Sequence, residues 1–322
     1  MIRWRAPANG KVYSLLMSTG HDTTQPSSPR RRVTLRTLQA MSAAGEPFAC
    51  LACYDFTTAR WLDRAGVHVL LVGDSAANVV LGHETTHAAP MDLMVWLTAA
   101  VRRGAEFAHV MADMPFMSYQ ADDARALHNA GRFLAEARAD SVKVEVDSSF
   151  APLVEKMTRA GIPVCAHIGT RPQLWALSGG PRVSGRDQAE ADRIVADAVA
   201  MERAGAVLLL IEAVPPEVTA RVLDATGLPV IGIGAGPACH GQILVVNDLL
   251  GLSDSVPRFV EPIADLGPRI EAAGREWTRR VGERRIGGRT YTAAPADRRD
   301  APPPIVETRV GKESVRVTPD ER

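Results

Sequence analysis

Short, almost unbroken apolar runs alternate along this chain with longer stretches whose apolar residues recur at helical intervals. Phe48–Cys53, Val67–Val72, His109–Ala112, Val142–Val146, Val164–Ala166 and Val207–Ile211 read as strands buried on both faces of a parallel sheet. The intervening segments carry helical spacing, with Leu153, Met157 and Ala160 in one and Ile194, Ala198 and Met201 in another. A weak repeat marks each change of period: Arg64-Ala65-Gly66-Val67, Arg159-Ala160-Gly161-Ile162 and Arg203-Ala204-Gly205-Ala206, with Arg102-Arg103-Gly104-Ala105 and Ala225-Thr226-Gly227-Leu228 as variants. A basic residue in the last helical turn followed by a left-handed glycine ends a helix and releases the chain into a strand. The pattern predicts strands at about 47–54, 67–73, 109–113, 141–146, 163–168, 207–212 and 229–234, and an eighth near Arg258–Val260. Repeating βα units in that number predict an α/β fold, a closed (β/α)8 TIM barrel, with an open doubly wound sheet as the alternative.

The runs share a second property: each stops at an ionisable side chain. Val72 is followed by Gly73-Asp74-Ser75, Ala112 by Asp113, Ala166 by His167, Ile211 by Glu212 and Cys53 by Tyr54-Asp55, while Lys143 and Glu145 lie inside their own run. An acid at the end of a buried strand is costly unless strands open to a polar site there, and in a barrel that end is the active-site face. Lys143 and Glu145, two apart on one strand, share a face. They form either a plain buried ion pair or, with Asp74 and Asp113, a metal site. Asp74, Asp113 and Glu145 offer only hard oxygens, which suits Mg²⁺, and three carboxylates balance one divalent ion plus Lys143. Glu212, after five aliphatic residues, is expected to be partly desolvated, which raises its pKa and suits a general base; pairing with an arginine is the plainer reading. His167 reads either as a satisfied strand-end histidine or as a polar partner in the site.

Composition narrows the class. The chain has 322 residues, 46% hydrophobic and 23% charged, with net charge zero, so no overall field draws it to nucleic acid or to an anionic membrane. No apolar run approaches the roughly 20 residues a bilayer span needs, and Val12–Met17 is too short for a secretory h-region; a cytoplasmic location is expected. Residues 1–32, including the Arg30-Arg31-Arg32 cluster, read as a disordered leader with Met17 as an alternative start, 33–287 as the barrel domain and 288–322 as a disordered tail. Cys50 and Cys53 form a C-x-x-C inside a predicted strand and are expected on opposite sides of it as apolar fillers. His83-Glu84-Thr85-Thr86-His87 matches the zinc-peptidase H-E-x-x-H, but that pattern works only on a helix, and this segment has two β-branched threonines and runs into Pro90. Ile231-Gly232-Ile233-Gly234-Ala235-Gly236 lacks the spacing of a dinucleotide loop and reads as a strand end allowing close backbone approach.

These segments together resemble the ketopantoate hydroxymethyltransferase family. The resemblance is carried by Leu71-Val72-Gly73-Asp74-Ser75, Gly82-His83-Glu84-Thr85-Thr86, Ala112-Asp113-Met114-Pro115-Phe116-Met117, Val142-Lys143-Val144-Glu145, His167-Ile168-Gly169, Ile211-Glu212-Ala213-Val214-Pro215 and Pro229–Gly236 with Gly241-Gln242-Ile243-Leu244, collinear over about residues 33–275. It implies a barrel of the phosphoenolpyruvate/pyruvate type that transfers a hydroxymethyl group from 5,10-methylenetetrahydrofolate to 3-methyl-2-oxobutanoate through a Mg²⁺-stabilised enolate. The product is 2-dehydropantoate, on the way to pantothenate. Asp74, Asp113 and Glu145 correspond to metal-site carboxylates, Asp74, Ser75, Asp113 and Lys143 to substrate-holding groups, Glu212 to the proton acceptor and His167 to a supporting histidine. A homo-oligomer, by resemblance a decamer, is expected. Another keto-acid lyase or mutase of the same superfamily and a non-catalytic barrel are the competing readings. The chain departs from the family's pattern at Val146-Asp147, where Gly-Gly is usual, at Thr170-Arg171, at Gly179–Gly185 and at His240, where an acid is usual.

Overall fold

In the computed structural model, which describes residues 30–288, strands β1 Phe48–Ala52, β2 Val69–Val72, β3 His109–Asp113, β4 Ser141–Glu145, β5 Val164–Gly169, β6 Leu208–Glu212, β7 Val230–Ile233 and β8 Gly241–Val245 pair in parallel. They close in sequence order, β8 against β1. The helices are α1 Leu35–Ala44, α2 Phe56–Ala65, α3 Ala76–Val79, α4 Met91–Gly104, α5 Asp123–Ala135, α6 Ala151–Arg159, α7 Trp175–Ser178, α8 Gln188–Arg203, α9 Pro216–Ala225, α10 Val246–Leu249 and α11 Leu266–Gly282. The chain divides into two compact units, Met1–Gly267 and Pro268–Arg322. The first holds the barrel. The described part of the second is mostly α11, on which Ile270, Trp277 and Val281 are exposed. None of the described helices is long and apolar enough to cross a membrane.

The predicted strands form close to their expected positions, except the last. The eighth strand is not at Arg258–Val260 but at Gly241–Val245, reached from β7 without an intervening helix. Its sequence hides it, because Gly241 and Gln242 break the apolar run. Gly241 is needed there: a Cβ would stand 2.3 Å from the Phe48 ring, which fills the seam where β8 meets β1. Phe259 and Val260 line the cavity above the barrel instead.

The helix-to-strand repeat forms as expected at three sites, where Gly66, Gly161 and Gly205 take positive φ. Gly104 is different. It ends α4 without left-handed geometry, and a Cβ there would meet the Phe56 carbonyl at 2.5 Å, so it serves the close approach of α4 to α2. Arg30 and Arg32, expected in a solvated tail, are exposed but anchored: Arg30 lies over the Phe107 ring, and Arg32 pairs with Asp140 at 2.6 Å. The remainder of the expected leader, and the expected tail beyond Gly288, lie outside the described residues.

Alternate strand residues point to opposite faces, and two apolar clusters follow. Phe48, Cys50, Val69, Leu71, Met111, Cys165, Leu208, Leu210, Ile231 and Ile243 fill the barrel interior. Their neighbours, among them Leu70, Val110, Val142, Ala166 and Ile211, pack outward beneath the helices. Cys50 falls in the first cluster and Cys53 in the second, both buried and free, as the alternation predicts.

One polar pair is buried low in this interior: His109 Nε2 lies 2.8 Å from Ser141 Oγ, and His109 Nδ1 has no partner. Burial, with Arg102 and Arg32 acting against Asp140, pushes its pKa from 6.5 down to about 4. Between those two values the unfolded chain takes up a proton that the folded chain refuses, so stability falls as pH drops through that window. The loss should be about 3 kcal/mol. Urea unfolding against pH should show it, and His109→Gln should flatten the slope between pH 6.5 and about 4 relative to the wild type.

Candidate active site

The inward period of two that fills the barrel with aliphatic side chains turns polar at the C-terminal strand ends. Met111 gives way to Asp113, Ser141 to Lys143 and Glu145, Cys165 to His167, and Leu210 to Glu212. The parallel register sets Asp113 beside Lys143 and Glu145 beside His167. Asp74 and Ser75 enter from the turn after β2. All seven line one cavity of about 550 Å³ at the barrel mouth. Expectations drawn from strand ends scattered over 140 residues thus meet in one place.

Lys143 is the centre of the charge pattern. Its Nζ lies 2.9 Å from Asp113 Oδ1 and 3.2 Å from His167 Nδ1. Burial opposes its charge, but Asp113, Asp74 and Glu145 together outweigh that and raise its pKa. An ammonium only donates, so His167 Nδ1 accepts. Burial and the Lys143 charge push the His167 pKa well down. The ring is therefore neutral, with its proton on Nε2. That nitrogen lies 3.3 Å from Glu212 Oε2. Burial raises the Glu212 carboxyl to about 7, with Lys143 pulling it down and Asp74 pushing it up. The carboxyl is 17% exposed, facing the cavity. The arginine partner of the plainer reading is absent among the described residues.

The other three acids are each held by a backbone or amide donor. Asp113 Oδ2 accepts the Asp74 backbone N–H at 2.9 Å, Glu145 Oε2 accepts the Gln173 backbone N–H at 2.9 Å, and Asp74 Oδ2 accepts Gln173 Nε2 at 2.9 Å. Asp113 Oδ1 is met by the Lys143 ammonium alone, and the buried Glu145 Oε1 receives no hydrogen bond. Burial pushes both carboxyls up, with Lys143 opposing. Among the described residues, no three His, Cys, Asp or Glu side chains form a ready-made metal cage. Hard carboxylate oxygens around an open cavity, one of them unpartnered, nevertheless fit a cation that keeps several waters and binds through few carboxylates, as Mg²⁺ does.

Ser75 Oγ is 2.8 Å from Tyr54 OH. Tyr54 is named in the sequence only as a strand end, without a role, and Tyr119 and Gln173 carry no expected role at all, though both are buried and bonded to the acids or their backbone. Gln173 sits in the short 3-10 turn Pro172–Leu174 after β5, where nothing in the local sequence signals burial. Two departures from the family's pattern find each other, since Arg171 Nη1 donates to Asp147 Oδ2 at 2.8 Å. A third, His240, accepts the Val230 backbone N–H at the start of β7 at 3.0 Å. The H-E-x-x-H segment forms only a 3-10 turn at Thr86–Ala88, as expected for a non-helical match. His83 is exposed there, and His87 Nε2 is 2.8 Å from the Gln173 carbonyl.

The model of the ketopantoate hydroxymethyltransferase family matches residues 32–288. The 3-methyl-2-oxobutanoate hydroxymethyltransferase of Geotalea daltonii is 43% identical over 255 residues, 79% of this chain and 96% of that one. That of Halorhodospira halophila is 46% identical over 241 residues, 75% and 87% of the two chains. Among solved structures, a putative phosphonomutase from Burkholderia cenocepacia superposes with TM-score 0.53 at 17% identity, covering 78% of this chain and 99% of that one. A 2,3-dimethylmalate lyase of the PEP mutase/isocitrate lyase superfamily gives 0.52 at 18%, covering 77% and 86%. At such identity these two speak for the barrel fold alone.

The assigned tautomer is directly measurable. Imidazole ¹⁵N shifts of His167 should report a neutral ring protonated at Nε2 from neutral pH down to below its ordinary pKa of 6.5. A protonated Nδ1 would mean that Lys143 does not donate to it.

Proposed function

The chain belongs to the ketopantoate hydroxymethyltransferase family, and from that membership we propose that it transfers a hydroxymethyl group from 5,10-methylenetetrahydrofolate to 3-methyl-2-oxobutanoate, yielding 2-dehydropantoate for pantothenate synthesis. The observation that carries this reading is the pairing of a base with a binding surface across one cavity. Glu212, with a pKa near 7, looks onto the same space as Asp74, Asp113 and the free Oε1 of Glu145.

The keto acid must lose the proton on C3, beside its ketone. Its carboxylate is held by the Lys143 ammonium and by the Ser75 hydroxyl, itself steadied by Tyr54. Held at that end, the substrate presents C3–H to Glu212. A carboxylate with a pKa near working pH is ionised enough to accept a proton and basic enough to keep it. The neutral His167 ring lies beside Glu212, with Nε2 3.3 Å from Oε2, and adds no positive charge there. The enolate then attacks the methylene carbon of the folate; tetrahydrofolate leaves and water supplies the hydroxyl oxygen. Asp74, Asp113 and Glu145 would hold Mg²⁺, which when bound supplies Lewis-acid stabilisation of the negative charge developing on the keto oxygen, worth several kcal/mol. The cavity, about 550 Å³, exceeds what a keto acid of five carbons needs and leaves room for the folate donor. We take the enzyme to be cytoplasmic and homo-oligomeric, a decamer by resemblance.

Incubation with 3-methyl-2-oxobutanoate, methylenetetrahydrofolate and Mg²⁺ should give 2-dehydropantoate; no product would sink the assignment. Without folate, the keto acid should exchange its C3 hydrogen in deuterated water, and Glu212→Gln should slow that exchange by about 10²–10⁴-fold. Wild-type C3 exchange should fall as pH drops through the Glu212 pKa, about 7 before a cation binds, because only the carboxylate accepts a proton. A pH profile flat down to pH 4 would exclude Glu212 as the base.

A further inference from the structure

One side chain outside the proposed catalytic set holds more of the site together than any member of it. Gln173 is 2% exposed and uses every polar group it has. Its Nε2 donates to Asp74 Oδ2 at 2.9 Å and to the Met114 carbonyl at 3.1 Å. Its Oε1 accepts from Gln120 Nε2 at 2.8 Å and Tyr119 OH at 3.0 Å. Two donors on one side and two acceptors on the other leave a single way round for the amide. Its backbone N–H meets Glu145 Oε2 at 2.9 Å, and its carbonyl meets His87 Nε2 at 2.8 Å. Tyr119 closes the loop, since its hydroxyl also accepts the Glu145 backbone N–H and lies 3.0 Å from the Glu145 carbonyl.

Asp74 and Glu145 come from the ends of β2 and β4, which are not neighbours in the barrel. No ladder bond fixes their separation. Gln173 does, touching one oxygen of each carboxylate and leaving Glu145 Oε1 free. The Arg171–Asp147 pair anchors the same loop two residues earlier.

We propose that Gln173, braced by Tyr119, is a positioning residue that sets the spacing and orientation of Asp74 and Glu145 and thereby the affinity of this site for a divalent cation. This rests on the reading that those acids bind the cation. Without the amide, Asp74 loses its fixed donor and Glu145 keeps only a backbone contact from a loosened loop. Partners of this kind, bonded to metal ligands, typically matter 10–100-fold in metal affinity.

Calorimetric titration of the purified full-length protein with Mg²⁺ tests this. Gln173→Met keeps the side chain's length and apolar body, and Tyr119→Phe removes a single hydroxyl. The expected result is Mg²⁺ binding weakened by about 10–100-fold in Gln173→Met and less in Tyr119→Phe. The thermal midpoint should fall in Gln173→Met, whose buried partners are left unpaired, and less in Tyr119→Phe, while kcat should largely recover at saturating Mg²⁺ in both. The spectrum of bound Mn²⁺ in electron paramagnetic resonance should broaden in both variants. If Gln173→Met does not fold, Tyr119→Phe carries the test through the same two readouts. Wild-type affinity in both variants would overturn the inference while leaving the metal reading intact. Failure of the wild type itself to bind Mg²⁺ would overturn both.

Discussion

The site depends on the problem of withdrawing four charged groups from water within one barrel mouth. Asp74, Asp113, Lys143 and Glu145 are each at most 5% exposed. Charges in a low-dielectric interior are strongly penalised unless they are neutralised and hydrogen-bonded. Lys143 offsets one carboxylate, with its ammonium 2.9 Å from Asp113. The remaining two carry a deficit of about two positive charges, which the proposed divalent cation matches. Burial raises the pKa values of Asp113 and Glu145; Lys143 opposes the rise and the neighbouring carboxylates add to it. The neutral His167 follows too, because a second positive charge beside Lys143 would be repelled.

The barrel supplies this arrangement with few special devices. Parallel strands with a side-chain period of two give an apolar interior up to Met111, Cys165 and Leu210, and the next inward position on each strand is ionisable. Register then decides which groups touch. The stability of the lower barrel and the chemistry of its mouth are separate tasks, performed by different residues of the same strands. What the strands cannot do is fix groups contributed by non-adjacent ends, and there Gln173 and Tyr119 span the gap.

Much of this could be read in the chain itself. Six apolar runs ending at ionisable side chains, with a seventh at 229–234, located seven strands and the seven expected site residues that line the cavity, because burial on both faces leaves an unmistakable composition. Lys143 and Glu145 were assignable to one face from their spacing alone. The eighth strand was not legible. Gly241 and Gln242 interrupt its apolar signal, and the reason for the glycine is a Phe48 ring nearly two hundred residues earlier. Gln173 was illegible for a related reason: it is buried by tertiary closure of a loop, without any local periodicity. Arg30 and Arg32 read as solvated charge because their partners, Phe107 and Asp140, come from distant segments. The paired departures Asp147 and Arg171 could be connected only once β4 and β5 were neighbours.

On the proposed function, the buried acids and Lys143 form one electrostatic unit that a divalent cation completes, beside a base. Anomalous diffraction from crystals soaked with Mn²⁺ and the keto acid examines it in a single experiment. A peak within coordination distance of Asp113 Oδ1 and Glu145 Oε1, with the substrate carboxylate towards Lys143 and its C3 facing Glu212, is the expected outcome. A peak at His83 and His87, or a substrate turned so that C3 lies away from Glu212, would contradict it.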